Sequence, residues 1–276
     1  MFQTQLSVPE YHAIRDIVYK HTGINLTENK KSLIVARLHR LLNKYGFKTF
    51  REYGSFVEKD TTRQAVSELV NQITTTHTFF YREKAHFEFF TAQALPEILA
   101  YLRNKNSRDI RVWCSGCSTG EEAYMLAMLL MENLGAEYFR WDAGILATDI
   151  SNKVLESAKQ GIYTEERVEV LPEYLKRKYF QKLDKNLWAV KDSVKREVTF
   201  RRFNLMNPNF PFKEKFHIIF CRNVMIYFDR VTKQSLIRRF YDITAPGGYL
   251  FIGHSESLDR DQCRYTYVVP AVYRKI

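Results

Sequence analysis

The stretch Trp113-Cys-Ser-Gly-Cys-Ser-Thr-Gly-Glu-Glu-Ala-Tyr124 packs two thiols and two carboxylates into one short segment. Cys114 and Cys117 form a C-x-x-C, a spacing that serves zinc or dithiol chemistry. A structural zinc takes four ligands, however, and the chain has no second C-x-x-C and no H-x-x-x-H to complete a set. A thioredoxin-like motif opens a helix without the Ser-Thr-Gly-Glu-Glu that follows here. The remaining cysteines, Cys221 and Cys263, do not make a disulfide framework in a chain of 276 residues. No metal is therefore expected.

The same segment also reads as a strand-to-helix turn at the end of an apolar run. Gly116 and Gly120, with small Cys117, Ser118 and Thr119 between them, allow a ligand to approach the backbone closely. Asp149 follows about 30 residues later at the end of the next apolar run, where a carboxylate can accept both hydroxyls of a ribose. Two cofactors suit that layout, a nicotinamide dinucleotide and S-adenosylmethionine. A pyrophosphate needs bare N–H groups at the helix start, and Glu121 and Glu122 put negative charge there. A cationic sulfonium and ammonium tolerate or use such a carboxylate, although both acids would also suit the helix dipole alone. The methyl donor is the better fit.

The elements that must hold these residues follow from periodicity. From about residue 110 strands and helices alternate, which predicts a mostly parallel sheet. Strands are expected at Ile110–Cys114, Ala143–Thr148, Phe216–Cys221, Tyr249–Gly253 and within Tyr265–Arg274. Helices are expected at Glu121–Leu134, from Ser151 to Gln160, and at Val231–Thr244. In such sheets ligands bind beyond the carboxyl ends of the strands, and Ser115–Glu122, Asp149, Asn204 and Arg222-Asn223 all fall there. Trp188–Val190 and Glu197–Phe203, in a basic block between Gly161 and Asn204, suggest a small antiparallel insertion.

The first 80 residues read as short helices. Ser7-Val-Pro-Glu10 is a capping box, and Thr22-Gly23 closes the helix it opens. A second helix runs from about Glu28 to Tyr45 on the spacing of Ile34, Leu38, Leu41, Leu42 and Tyr45, and two more lie near 49–58 and 61–73. Thr74–Glu83 has no clean period, yet its three aromatics and an arginine are unusual for a connector; a helix over 83–104 follows. Lys30, Arg37, Arg40 and Lys44 share one arc of the second helix, either a solvated face or a docking stripe for an acidic partner. The net charge of +11 favours an acidic partner: nucleic acid, an anionic membrane face or an acidic protein. With 45% apolar residues, a mean hydropathy of −0.36 and no basic-then-apolar leader, a cytoplasmic globular protein is the simplest expectation.

Over essentially its full length the chain resembles the CheR family of chemotaxis receptor glutamate methyltransferases. The likeness is carried by GINLTENKKSLIVARLHRL, THTFFYRE, VWCSGCSTGEEAY, LATDIS, FNLMNP, FCRNVMIYFD and GGYLFIGHSESL. It implies an α/β fold: a Rossmann-like S-adenosylmethionine-dependent methyltransferase sheet with a small antiparallel β insertion, preceded by an all-α N-terminal domain. The expected division is a receptor-docking helical domain at 1–73, a linker and helix at 74–108, and a methyltransferase domain at 109–276 with its insertion at about 162–203.

The resemblance further implies cofactor contacts at Thr76, Thr78, Arg82, Glu122, Asp149, Asn204, Leu205, Arg222 and Asn223, with Arg82 and Tyr227 at the reacting carboxylate. Thr76 stands where the family commonly has asparagine, and the Cys114 and Cys117 positions are commonly small residues without a metal. The implied partner is the helical cytoplasmic part of a chemoreceptor, with no nucleic acid, contact with the membrane only through the receptor, and a monomeric enzyme. An RNA or another acidic protein is the alternative substrate. Some members grip a receptor C-terminal peptide through an insertion shaped by glycines. This chain has no glycine between Gly161 and Gly247, which points to a member that does not need that tether.

Overall fold

The computed structural model describes residues 6–28, 31–74, 76–259 and 262–276. Its N-terminal part is built of four helices, α1 (Val8–Thr22), α2 (Lys31–Tyr45), α3 (Phe50–Lys59) and α4 (Gln64–Ile73). Local chemistry sets their ends. Ser7 accepts from the Glu10 N–H while the Glu10 carboxylate accepts from the Ser7 N–H, and Thr49 and Glu52 repeat the arrangement on α3. Gly23 ends α1 at φ +70°, and a Cβ there would also overlap Met206 Sδ at 2.2 Å. Ile34, Leu38, Leu41 and Leu42 are buried among these helices, as their spacing predicts.

Lys84–Phe89 (α5) and Leu95–Asn104 (α6) are joined by a π turn, Phe90–Ala94, in which the Leu95 N–H reaches back to the Phe90 carbonyl. A proline inside an α-helix lacks its N–H and clashes with the carbonyl four residues back, so the widened turn fits the presence of Pro96 two residues beyond its end.

A seven-stranded sheet follows, in the order β6-β2-β1-β7-β8-β10-β9. Its strands are β1 (Asp109–Cys114), β2 (Asp142–Asp149), β6 (Val198–Arg202), β7 (Phe216–Cys221), β8 (Thr244–Ile252), β9 (Thr266–Val269) and β10 (Val272–Arg274). The first five in the order are parallel, and β10 and β9 are antiparallel. Between β1 and β2 lies α7 (Glu121–Leu134), with ten of its residues buried, including Ala123–Leu130 without a break; α8 (Asn152–Gln160) and α12 (Arg230–Ile243) flank the sheet. Trp113 at the sheet centre is fully buried, donates to Thr148 Oγ1 at 2.9 Å, and is edged by Phe203, Phe210, Phe212 and Phe240.

The insertion is a second sheet of β3 (Ile162–Thr164), β4 (Phe180–Lys182) and β5 (Leu187–Val190), in the order β3-β5-β4 and antiparallel throughout. It carries the short helices α9 (Glu165–Val168), α10 (Glu173–Tyr179) and α11 (Asp192–Lys195). One expectation is corrected. Glu197–Phe203 does not belong to this sheet, because Val198–Arg202 pairs in parallel with Ile145–Asp149 and forms the edge of the main sheet. Alternation marks a strand but not its neighbour, and the pairing of β6 spans a whole insertion.

Candidate functional site

The strand order reverses at β1, which has β2 on one side and β7 on the other. A crevice opens beyond the carboxyl ends at such a point. A cavity is lined there by the loops after β1, β2 and β7, by the 76–82 linker, and by Thr22, Ile24, Leu26, Ile34 and Arg37 from the helical part. Thr76, Thr78, Arg82, Glu122, Asp149, Asn204, Leu205, Arg222, Asn223 and Tyr227 all line it.

Several of these side chains are already engaged. Arg222, with its side chain 1% exposed, donates from Nη1 to Glu122 Oε2 at 2.6 Å and from Nη2 to Glu83 Oε2 at 3.0 Å. It also bonds the Arg82 carbonyl. Its guanidinium therefore braces the walls of the cavity that it also lines. Glu83 accepts in addition from Asn223 Nδ2 (3.1 Å) and the His254 N–H (3.3 Å); burial raises its carboxyl, but the neighbouring His86, Arg222 and Asn223 outweigh it and hold it far below the usual range.

The two acids that open α7 have parted company. Glu121 is fully buried and paired with Arg167 of the insertion, whereas Glu122 faces the cavity. Arg167 Nη2 also donates to Thr119 Oγ1 (3.0 Å) and the Thr78 carbonyl (3.4 Å), so one guanidinium joins the insertion, the first loop and the linker.

Asp149 accepts from the Ser118 N–H (3.0 Å) and the Ser151 N–H (2.9 Å), and burial nonetheless pushes its carboxyl up. Asn204 anchors the helical part through Nδ2 to the His21 carbonyl (2.7 Å). Arg82 donates to the His77 carbonyl (3.0 Å). The Tyr227 carbonyl accepts from the Asn25 N–H (2.8 Å), beside the Ile24–Phe228 bridge that seals the helical part against the sheet.

The backbone at the site is strained. Tyr81, Glu83, Ser118 and Asn223 have φ of +60°, +56°, +47° and +57°. For residues other than glycine such conformations cost about 1–3 kcal/mol each and persist where surrounding contacts fix them. Gly116 lines the cavity and has a second task as well. A Cβ there would lie 2.4 Å from Val224 Cγ2, so its bareness lets the loop after β7 close on the loop after β1.

Cys114 and Cys117 are buried, free thiols whose pKa burial pushes well up. Cys114 Sγ donates to Glu122 Oε1 at 3.2 Å. They pack the turn as small side chains.

The basic arc on α2 is less uniform than its spacing suggested. Arg37 turns inward, lines the cavity and donates to the Ile73 carbonyl at 2.7 Å, closing the end of α4. Lys44 is paired with Glu68 at 2.7 Å. Arg40 is exposed, and Lys30 lies outside the described residues.

Sequence reasoning missed Glu83, Arg167 and Glu256. Glu256 accepts from the N–H groups of Asn223 (3.0 Å), Ile226 (3.0 Å) and Gly253 (2.6 Å), and so shapes the loop that carries Arg222, Asn223 and Tyr227. Glu83 and Glu256 lie within quoted motifs, but only tertiary contact shows what they accept.

The donor set suits S-adenosylmethionine. A half-buried carboxylate stands at the end of the second strand, apolar Ile150, Phe203 and Leu205 offer a slot for a purine, and Glu122 provides negative charge for a cationic end. Among the described residues no helix is long and apolar enough to cross a membrane.

Comparison with known proteins agrees. Residues 76–273 match the family model of the CheR methyltransferase, SAM binding domain, and residues 9–74 match that of the CheR methyltransferase, all-alpha domain. A chemotaxis protein methyltransferase of Borreliella burgdorferi is 46% identical over 259 residues, 94% of this chain and 91% of the relative. One of Escherichia coli is 34% identical over 271 residues, 97% of this chain and 91% of the relative. The chain belongs to the CheR methyltransferase family and is an S-adenosylmethionine-dependent methyltransferase.

Proposed function

We propose that this protein methylates glutamate side chains on the helical cytoplasmic part of chemoreceptors, forming γ-methyl esters, and that it does so as a cytoplasmic monomer. The observation that carries the reading is the gathering of the family's motif residues around one cavity, in a chain alike to chemotaxis methyltransferases over nearly its whole length. In this reading residues 1–73 dock the receptor, 74–108 connect, and 109–276 bind the methyl donor.

Bound S-adenosylmethionine supplies a methyl group on a cationic sulfonium. Asp149 holds the ribose hydroxyls, Glu122 the methionine ammonium, and Asn204-Leu205 flank the purine, with Thr76 and Thr78 closing the linker side. Arg222 and Asn223 act through Glu122, Glu83 and the loop they stiffen. The substrate carboxylate has a pKa near 4.3 in free glutamate and is an anion at neutral pH, so no general base is needed. What remains for the protein is orientation and the exclusion of water. Arg82 aims the carboxylate by a charge-assisted hydrogen bond, and the Tyr227 hydroxyl supplies a second.

The test is methyl transfer from labelled cofactor with a receptor cytoplasmic domain and an RNA offered separately. Label in the receptor, released as methanol by mild alkali, is the expected result. Label in RNA, or alkali-stable label in protein, would overturn the reading.

A further inference from the structure

Glu83 looks two ways. One set of its contacts runs to Arg222 and Asn223 at the cavity wall; the other runs to two histidines. His86 is 2% exposed, and neither of its ring nitrogens has a hydrogen-bond partner. A buried polar group without a partner is rare and calls for an explanation, an ion among them. His86 Nδ1 lies 3.3 Å from Glu83 Oε2, yet the contact lacks hydrogen-bond alignment. The His254 ring is 4.4 Å from that of His86, centroid to centroid. Among the described residues, Glu83, His86 and His254 are the one group of three whose ligating atoms all lie within 4.8 Å of one another.

The chemistry of the set is specific. Two imidazoles and a carboxylate form the three-ligand set of open zinc sites, with water in the fourth position. Two donors on a tetrahedral zinc with bonds of 2.0–2.1 Å stand about 3.4 Å apart, close to the Glu83–His86 separation. His254 is exposed, so it can swing inward and leaves an entry path.

We propose that Glu83, His86 and His254 bind a divalent transition metal, zinc first, where the linker meets the end of β8. This site is distinct from the methyl-donor cavity but coupled to it. The metal draws on Glu83 Oε2, the oxygen that Arg222 also uses, and its charge repels the guanidinium. Arg222 in turn holds Glu122 and the Arg82 carbonyl. Metal binding therefore opposes cofactor binding, and by linkage the reverse holds equally.

The experiment is calorimetric titration of zinc alone into the chelator-treated full chain. A saturable one-to-one isotherm is expected. His254→Ala, a change at an exposed residue that spares the fold, should weaken it by at least ~10-fold. His12→Ala is the control and should leave it unchanged. No saturable binding, or equal affinity in His254→Ala, would overturn the site. Titration of S-adenosylhomocysteine with and without saturating zinc reads the coupling, with an expected loss of about 5-fold or more in affinity. Equal affinities would overturn the coupling.

Discussion

Arg222 and Glu122 meet at 2.6 Å across the strand-order reversal, joining the loop after β7 to the first turn of α7. The same guanidinium reaches Glu83, so two acids from separate elements share one buried cation. A buried charge that loses its partner is far costlier than the pair is stabilising. Arg222→Ala should therefore destabilise the fold by about 3–5 kcal/mol, read from denaturant midpoints. Arg222→Lys keeps the charge but not the fork and should fall between.

Arg82 is differently placed. Its side chain donates to the His77 carbonyl, and it is half-buried at the cavity edge. Arg82→Ala should keep the native melting temperature while turnover falls on the order of 100-fold through lost orientation. Wild-type turnover in this variant would remove Arg82 from the mechanism.

Asp149 should set the pH dependence of cofactor affinity if it holds the ribose as proposed. Burial raises its folded pKa above that of an ordinary aspartate, and the ionised form is the one that accepts ribose hydroxyls. Affinity for S-adenosylhomocysteine should be full above the raised value and fall as pH drops through it, at a higher pH than an exposed aspartate would show. Asp149→Ala should lower affinity about 10- to 100-fold at neutral pH and abolish that dependence in calorimetry.

Reversal of charge on α2 separates docking from pocket structure. Arg40→Glu should weaken receptor methylation with cofactor binding intact. Arg37→Glu should impair both, because Arg37 lines the cavity and holds the Ile73 carbonyl. Equal behaviour of the two variants would refute the distinction.

What the sequence made legible was local. The capping box at Ser7 depends on residues three apart, and the unbroken apolar run Ala123–Met131 of α7 could only be central. The parallel strands and their polar ends were readable because each strand-end motif is short. The edge position of β6, the inward turn of Arg37 and the nest around Glu256 were not readable. Each depends on backbone groups far away in sequence, and no periodicity records which carbonyl or N–H will arrive. The C-x-x-C showed the opposite error, since its spacing suggested chemistry while burial gives its thiols a packing task.

The cavity takes Thr22, Ile24, Ile34 and Thr74 from the segment that matches the all-alpha domain, and its floor from the segment that matches the SAM binding domain. The seam between two heritable modules thus runs through the binding site itself. Substrate choice and methyl-donor affinity are then not separately tunable by swapping modules. Grafting the helical segment of one relative onto the sheet of another, in order to redirect it to new receptors, must also reset how tightly the hybrid holds its methyl donor.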